Sequence, residues 1–452
     1  MSREVITPPV QMKSAWRLRI TRYSDVGTHI FVPLLVLTLP LEFTAMYFPA
    51  QIIQVRRIVM VLGLVLLGSR FLMSRDSVVV PKRFSLALLA ALIAYEVVSS
   101  FVARSPSGAR SVLEDLIYFA VLIAVYNFSR TQDDLWRAWG ALAISGLIIG
   151  VLTIFLYVAN LDIWRPGLPS YLHRVNATFG DPNILGRFLA ITTATSIMLV
   201  ASVPNKIWRF TALASAVVGT IAVIFTYSRA GWLVFALTLI LAVLLTKHRR
   251  NAFVALGVAI CIVGAVAVTN HTVFRRTQDI LSLITASSAA SATRSGPSHS
   301  ASFGLLDRIP LDVERHYLIA AGLKMFVDHP LFGVGFGEFR SNISGRYSYF
   351  VQPGYPDRLS HTSLVTVLAE LGVVGLTLLV AWLVWLFREV FQFSRSWHGD
   401  KFFLFVPIPA IFAVLLHSQF EERLLSEPYL WVFIALLYAA QSRLADAANR
   451  AR

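Results

Sequence analysis

Charge is what this sequence has little of. Only 14% of its 452 residues are Asp, Glu, Lys or Arg, where an ordinary soluble protein carries roughly 25%. With 56% apolar residues and a mean hydropathy of +0.66, the shortage excludes a large soluble enzyme and a disordered chain. Cysteine is nearly absent: Cys261, alone in an apolar run, permits no intramolecular disulfide and no cysteine-based metal site. Acidic residues are outnumbered 25 to 40 by basic ones, which leaves a net charge of +15. In a soluble protein that surplus points to nucleic acid. In a membrane protein it reports topology, so no nucleic-acid partner is expected. No P-loop or nucleophile elbow occurs, no acidic cluster has metal-ligand spacing, and no internal repeat is visible. The expectation is a protein with no metal and no cofactor.

What the sequence has instead is long apolar runs. A membrane-crossing helix needs about 20 mostly apolar residues, and twelve runs meet that need: 27–48, 57–74, 84–103, 112–128, 134–159, 184–203, 207–227, 229–246, 251–269, 361–387, 402–420 and 426–441. The expected fold is an all-α polytopic integral membrane protein of about 12 transmembrane helices. Arg3, Lys13, Arg17, Arg19 and Arg22 precede the first run, which is long enough to span and has no small-residue cleavage site after it. That pattern predicts an uncleaved N-terminus.

Lys and Arg collect in cytoplasmic loops. With the N-terminus inside, the inner segments hold groups such as Arg75, Lys82 and Arg83, or Lys247, Arg249 and Arg250. The short outer loops hold only Arg56, Arg57, Arg104, Arg110, Arg165, Arg174, Arg229 and Arg423. Both termini are therefore expected in the cytoplasm. The chain divides into nine spans with short loops (1–269), an outer segment (270–360), and three spans with the C-terminus (361–452). Within the outer segment, 287–302 reads as a flexible linker. Leu311, Leu318, Ile319, Leu323 and Phe326 recur at helical spacing, which predicts a helix near 311–327 ending before Pro330.

In this orientation every even-numbered span begins at the outer surface, and three of those beginnings carry unusual residues. The sixth opens with Gly180-Asp181-Pro182-Asn183, in which Asp181 or Asn183 serves either as an ordinary helix cap or at a site. The eighth opens with Ser228-Arg229-Ala230-Gly231-Trp232. An arginine there either snorkels to the interface or joins its charge to the positive end of the helix dipole and attracts an anion. The tenth opens with His361-Thr362-Ser363-Leu364, where the imidazole is either structural or suited to proton transfer near neutral pH. Glu370 falls on the opposite face from His361, roughly 13 Å along the helix, and reads as a buried network carboxylate. In the outer segment, Arg308 and Arg315 precede Asp328-His329-Pro330-Leu331-Phe332-Gly333-Val334-Gly335-Phe336-Gly337. Gly333 and Gly335 there permit either an anion-holding nest or a packed re-entrant turn. This inventory fits metal-free chemistry on a lipid-linked anion.

Arg315, the His329-Pro330-Leu331-Phe332-Gly333 stretch and His361-Thr362-Ser363-Leu364 through Glu370-Leu371-Gly372 resemble the signature region of the O-antigen ligase and polymerase superfamily. Phe179-Gly180-Asp181-Pro182-Asn183 and Tyr227-Ser228-Arg229-Ala230-Gly231-Trp232 resemble its two upstream motifs. The resemblance covers roughly 175–375. It implies a GT-C-like, membrane-embedded, inverting and metal-independent glycosyltransferase. The donor it implies is a glycan linked to undecaprenyl pyrophosphate and the acceptor is lipid A-core, within lipopolysaccharide biosynthesis at the periplasmic face of a Gram-negative inner membrane, among membrane lipids. It further implies that Arg229 and Arg315, with Arg308 second to them, bind the pyrophosphate and that His361 acts at the acceptor hydroxyl. Asp181, Asn183, Gly333 and Gly335 are supporting positions. An O-antigen polymerase or a protein O-oligosaccharyltransferase shares the donor; a polysaccharide or lipid transporter is the rival from another class, disfavoured because the polar residues crowd the outer ends instead of the midplane.

Overall fold

The computed structural model describes residues 29–42, 54–74, 78–129, 131–161, 174–203, 205–247, 253, 257, 261, 313–350, 360–397, 399–421 and 424–450. No strand occurs among the described residues. The helices are α1 (His29–Thr38), α2 (Val55–Ser74), α3 (Phe84–Ala103), α4 (Pro106–Phe128), α5 (Gln132–Val158), α6 (Pro182–Ser202), α7 (Lys206–Ile224) and α8 (Arg229–Leu245). They continue with α9 (Val313–Asp328), α10 (Phe339–Ser344), α11 (Ser363–Ser396), α12 (Phe402–Phe405), α13 (Pro407–His417) and α14 (Pro428–Arg450).

Six of these, α3 to α7 and α11, are long and apolar enough to cross a membrane, and α1, α8 and the α12–α13 pair are shorter apolar helices. The chain is a multi-pass membrane protein. The ninth expected span, 251–269, lies outside the described residues except at 253, 257 and 261, and so do Arg308 and the 287–302 linker. The helix expected near 311–327 is α9.

Side chains cap the starts of α4 to α8. Ser105 accepts the amide hydrogen of Gly108, Asn205 that of Ile207 and Ser228 that of Gly231. Thr131 and Asp134 form a reciprocal capping box. Each such cap contributes about 1 kcal/mol.

Successive long helices alternate in direction, which gives the bundle two ends. At one end Ser85 bonds Glu389 and Tyr438, Asn127 bonds Val79, and Arg443 bonds the Ser129 carbonyl. The other end gathers the starts of α4, α6, α8 and α11 and the segment 313–350. The centre is α6, 94% of whose apolar window is buried, against 33% for α3. It packs on α7, α8, α5 and α13, so a polar group on α6 faces protein and not lipid.

The tenth expected span differs from its reading. α11 breaks at Gly372, which has φ 63° and ψ −161°. The break frees the carbonyls of Ala369 and Glu370 and the amides of Val373 and Val374. All four are satisfied by one loop: Val334 and Gly335 donate to Ala369 and Glu370, while Val373 and Val374 donate to Pro330 and Leu331. A non-helical turn inside an apolar bundle requires such replacement partners. A side chain at Gly372 meets both its left-handed angle and the Leu331 carbonyl. A small second core of Leu318, Ala321, Met325, Phe339, Ile343, Tyr347 and Ala369 holds α9 and α10 against α11.

Candidate functional site

Two of the motif-bearing helix starts are bonded directly. Asn183 lies in the first turn of α6, and its side-chain oxygen accepts from the Ser228 hydroxyl at 2.6 Å and from Arg174 Nη2 at 3.1 Å. Its side-chain nitrogen donates to Glu421 at 3.1 Å. Ser228 in turn caps α8, whose first residue, Arg229, is exposed. Asn183 is therefore a junction of three elements. Asp181 caps α6, accepting the Asn183 amide at 2.7 Å.

His361 joins this junction through the segment that follows α13. Ser363 donates both its amide and its hydroxyl to the Ser418 carbonyl at 2.9 Å, and Thr362 donates to Gln419 at 3.4 Å. Three residues after Ser418 comes Glu421, the partner of Asn183. The 418–421 turn thus ties the α11 start to the α6 and α8 starts, a link the sequence reading missed. Positive φ angles mark the same turns: Ala177 (45°), Tyr227 (47°) and His361 (55°). Non-glycine residues in that region cost energy and concentrate at functional sites.

Arg315 begins α9 and is half-buried. Gly322 packs on Val365, and the Pro330 carbonyl bonds the Val373 amide. α9 and α11 therefore run side by side in one direction, which carries Arg315 toward the end that bears His361. Arg308 is outside the described residues. Gly333 (φ 71°) and Gly335 (φ 111°) belong to the packed turn, not to a nest. The Gly333 amide is spent on His329 and the amides of Val334 and Gly335 on α11, which removes the donors an anion would need. A Cβ on Gly333 meets the Glu370 backbone, and one on Gly335 meets Ala103. Glu370 is the buried network carboxylate expected: it accepts the Phe339 amide at 3.0 Å, capping α10 from α11.

Two buried ion pairs under the junction went unremarked in the sequence. Arg187 Nη2 lies 2.6 Å from Glu427 Oε2, both 1% exposed, and Arg56 Nη1 lies 2.8 Å from Glu42 Oε1. Arg187 also stands over the Tyr429 ring at 5.9 Å. Glu42 reaches the Gly180 amide, while Thr178 donates to the Pro40 carbonyl. The signal was available for Arg187, which falls four residues after Asn183 inside an apolar run, where a cation is costly without a partner.

Beyond the spans, Asp328 accepts from Lys324 at 2.5 Å and from the Tyr347 hydroxyl at 2.9 Å. These bonds hold the Asp328 carboxyl below its ordinary value. Burial, and then the Asp328 bond, push the Tyr347 phenol up to about 12. No group of three or more His, Cys, Asp or Glu is arranged to hold a metal among the described residues.

Residues 214–380 match the sequence model of the family described as O-antigen ligase. The matched segment runs from α7 through the break in α11 and includes Arg229, Arg315, Gly333, Gly335 and His361; it leaves out Asp181 and Asn183. No curated protein matches the chain.

Proposed function

We propose, from the O-antigen ligase family segment at residues 214–380, that the protein is an inverting membrane glycosyltransferase of lipopolysaccharide biosynthesis. It moves a polysaccharide from undecaprenyl pyrophosphate onto a sugar hydroxyl of lipid A-core. The reaction belongs to the periplasmic face of a Gram-negative inner membrane, with both termini in the cytoplasm. The observation that carries this reading is the Asn183 junction, because it supports a single site built from the α6 and α8 starts and the His361 turn.

In the reaction the acceptor oxygen forms a bond to the anomeric carbon from the face opposite the leaving group. The bond from that carbon to the pyrophosphate oxygen breaks, and undecaprenyl pyrophosphate departs with the electron pair. Negative charge grows on the pyrophosphate as this happens. Arg229, at the positive end of α8, and Arg315 on α9 stabilise it with charge-assisted, bidentate hydrogen bonds, with Arg308 ranked second to them. Neutral His361 takes the proton of the acceptor hydroxyl, a role that contributes about 10²–10⁴-fold in rate. Two guanidiniums take the place of a divalent metal.

The test is transfer by the purified chain from undecaprenyl-pyrophosphate glycan, with lipid A-core or with no added acceptor, in EDTA. Product formed only with core is expected. Longer lipid-linked chains without core identify a polymerase and overturn the acceptor assignment; loss of activity in EDTA overturns the metal-free mechanism. His361→Gln is expected to lose at least about 10²-fold in kcat, and wild-type rates in that variant remove the base role.

A further inference from the structure

A cavity of about 440 Å³ lies against the start of α11 and is not used by the mechanism above. That volume is within the range of small-molecule sites, about 300–1,000 Å³. Glu96 of α3 and Asp115 of α4 line it, with Ser111, Arg110 and Arg340, and α11 contributes Ser363 and Thr366. Glu96 and Asp115 are 1% and 2% exposed, and their side chains hydrogen-bond each other. Glu96 Oε2 and Asp115 Oδ1 receive no hydrogen from an N–H or O–H among the described residues. The other two acids on the lining have donors: Glu370 has the Phe339 amide and Glu114 has Arg57.

Carboxyl groups buried without donors are costly. A ligand that brings hydrogen-bond donors removes the cost, provided it brings no negative charge of its own. Sugar hydroxyls fit that requirement, whereas a phosphate or a sugar acid does not. The exposed guanidiniums of Arg110 and Arg340 suit a negative substituent further along the same glycan. Ser363 and Thr366 lie two and five residues after His361, so the cavity reaches the same helix start that bears the imidazole.

We propose that this cavity is the acceptor subsite, in which an uncharged terminal sugar donates its hydroxyl hydrogens to Glu96 and Asp115. The inference rests on the glycan acceptor and on the His361 role proposed above.

The experiment uses the full-length protein in nanodiscs with two variants. Glu96→Gln changes the acceptor pair, and Ser111→Trp fills the cavity from its wall while leaving both carboxyl groups in place in the sequence. Transfer kinetics are measured against lipid A-core and against the undecaprenyl-pyrophosphate donor. Calorimetry follows binding of core oligosaccharide freed from lipid A. Both variants are expected to raise the acceptor KM by about tenfold or more, with kcat and donor KM within about twofold, and to lose oligosaccharide binding. An unchanged acceptor KM in both variants overturns the subsite, as does a fall in kcat alone. If Glu96→Gln unfolds, Ser111→Trp decides. Failure of the wild-type protein to transfer onto lipid A-core defeats the proposed function instead. Calorimetry then judges the cavity by itself: oligosaccharide binding abolished by Ser111→Trp retains the subsite, and no binding by the wild type overturns it.

Discussion

At one end of this bundle two groups of buried charged side chains sit in opposite conditions. Around Tyr429 every acid has its base: Glu42 meets Arg56 and Glu427 meets Arg187, each within hydrogen-bonding distance. Around the cavity Glu96 and Asp115 meet only one another, and their buried oxygens lack donors from the described residues. The first group joins elements far apart in sequence, from the end of α1 to the start of α14, and its pairing of opposite charges suits a permanent joint. The second lies on two consecutive helices that need no joint, and its lack of donors suits a visitor. A buried charge by itself does not mark a site; what distinguishes the two groups is whether a base of the protein stands beside each acid.

The comparison breaks most sharply at Arg187. Arg187→Ala leaves Glu427 buried and alone, a situation that costs about 3–5 kcal/mol, and thermal unfolding in detergent should show a large fall in Tm. The double variant Arg187→Met with Glu427→Leu should recover most of the loss, because a buried ion pair replaced by apolar side chains is often neutral. If the double variant is no better than the single one, the pair does more than join helices. Glu96→Gln, by contrast, should change stability by less than about 1 kcal/mol, since its amide can still bond Asp115; a fall like that of Arg187→Ala would make both groups structural. Gly372→Ala sits between them. It strains the break in α11 by about 1–3 kcal/mol and should raise amide hydrogen exchange in 330–337 while leaving 183–190 protected.

The smallest effect is expected from pH, at Asp328 and Tyr347. The Asp328 pKa is depressed, so its contribution is present above about 4 and is lost as pH falls toward the folded value. The Tyr347 pKa is raised, so its contribution is present below about 10 and is lost as pH rises through about 12. Hydrogen exchange in α9 and α10 should accelerate at both extremes, with 183–190 unaffected. A response confined to one extreme would show that only one partner matters.

Much of this was legible because it is local. Apolar runs report helices, the spacing from Leu311 to Phe326 reports α9, and Ser228 and Asp181 read as caps because a helix start needs them. Arg229 and His361 drew notice as polar residues at the edges of apolar runs, and Arg315 by its spacing to the His329-Pro330-Leu331 stretch. The break at Gly372 was hidden, since averaged hydropathy carries no backbone angle and the loop that completes the break lies elsewhere in the chain. Gly333 and Gly335 stayed open between nest and turn for the same reason: the acceptors of that loop's amides are on α11. Glu96 and Asp115 lie in separate spans with no motif around either, and only the packing of α3 on α4 makes them a pair. Asn183 was visible, but Ser418, Gln419 and Glu421, which make it a junction, had no motif to announce them.

The four hydrogen bonds across the α11 break also bear on the order in which the chain is made. Residues 330–335 leave the ribosome before α11 does. The partners for Ala369, Glu370, Val373 and Val374 thus exist when that helix enters the membrane, and the bent span need never sit in lipid with four open backbone groups. A circular permutation that joined the old termini and opened the chain between 350 and 360 would place 330–335 after α11 in the order of synthesis and remove this advantage. Its cost would appear in the yield of inserted protein, not in the stability of what had already folded.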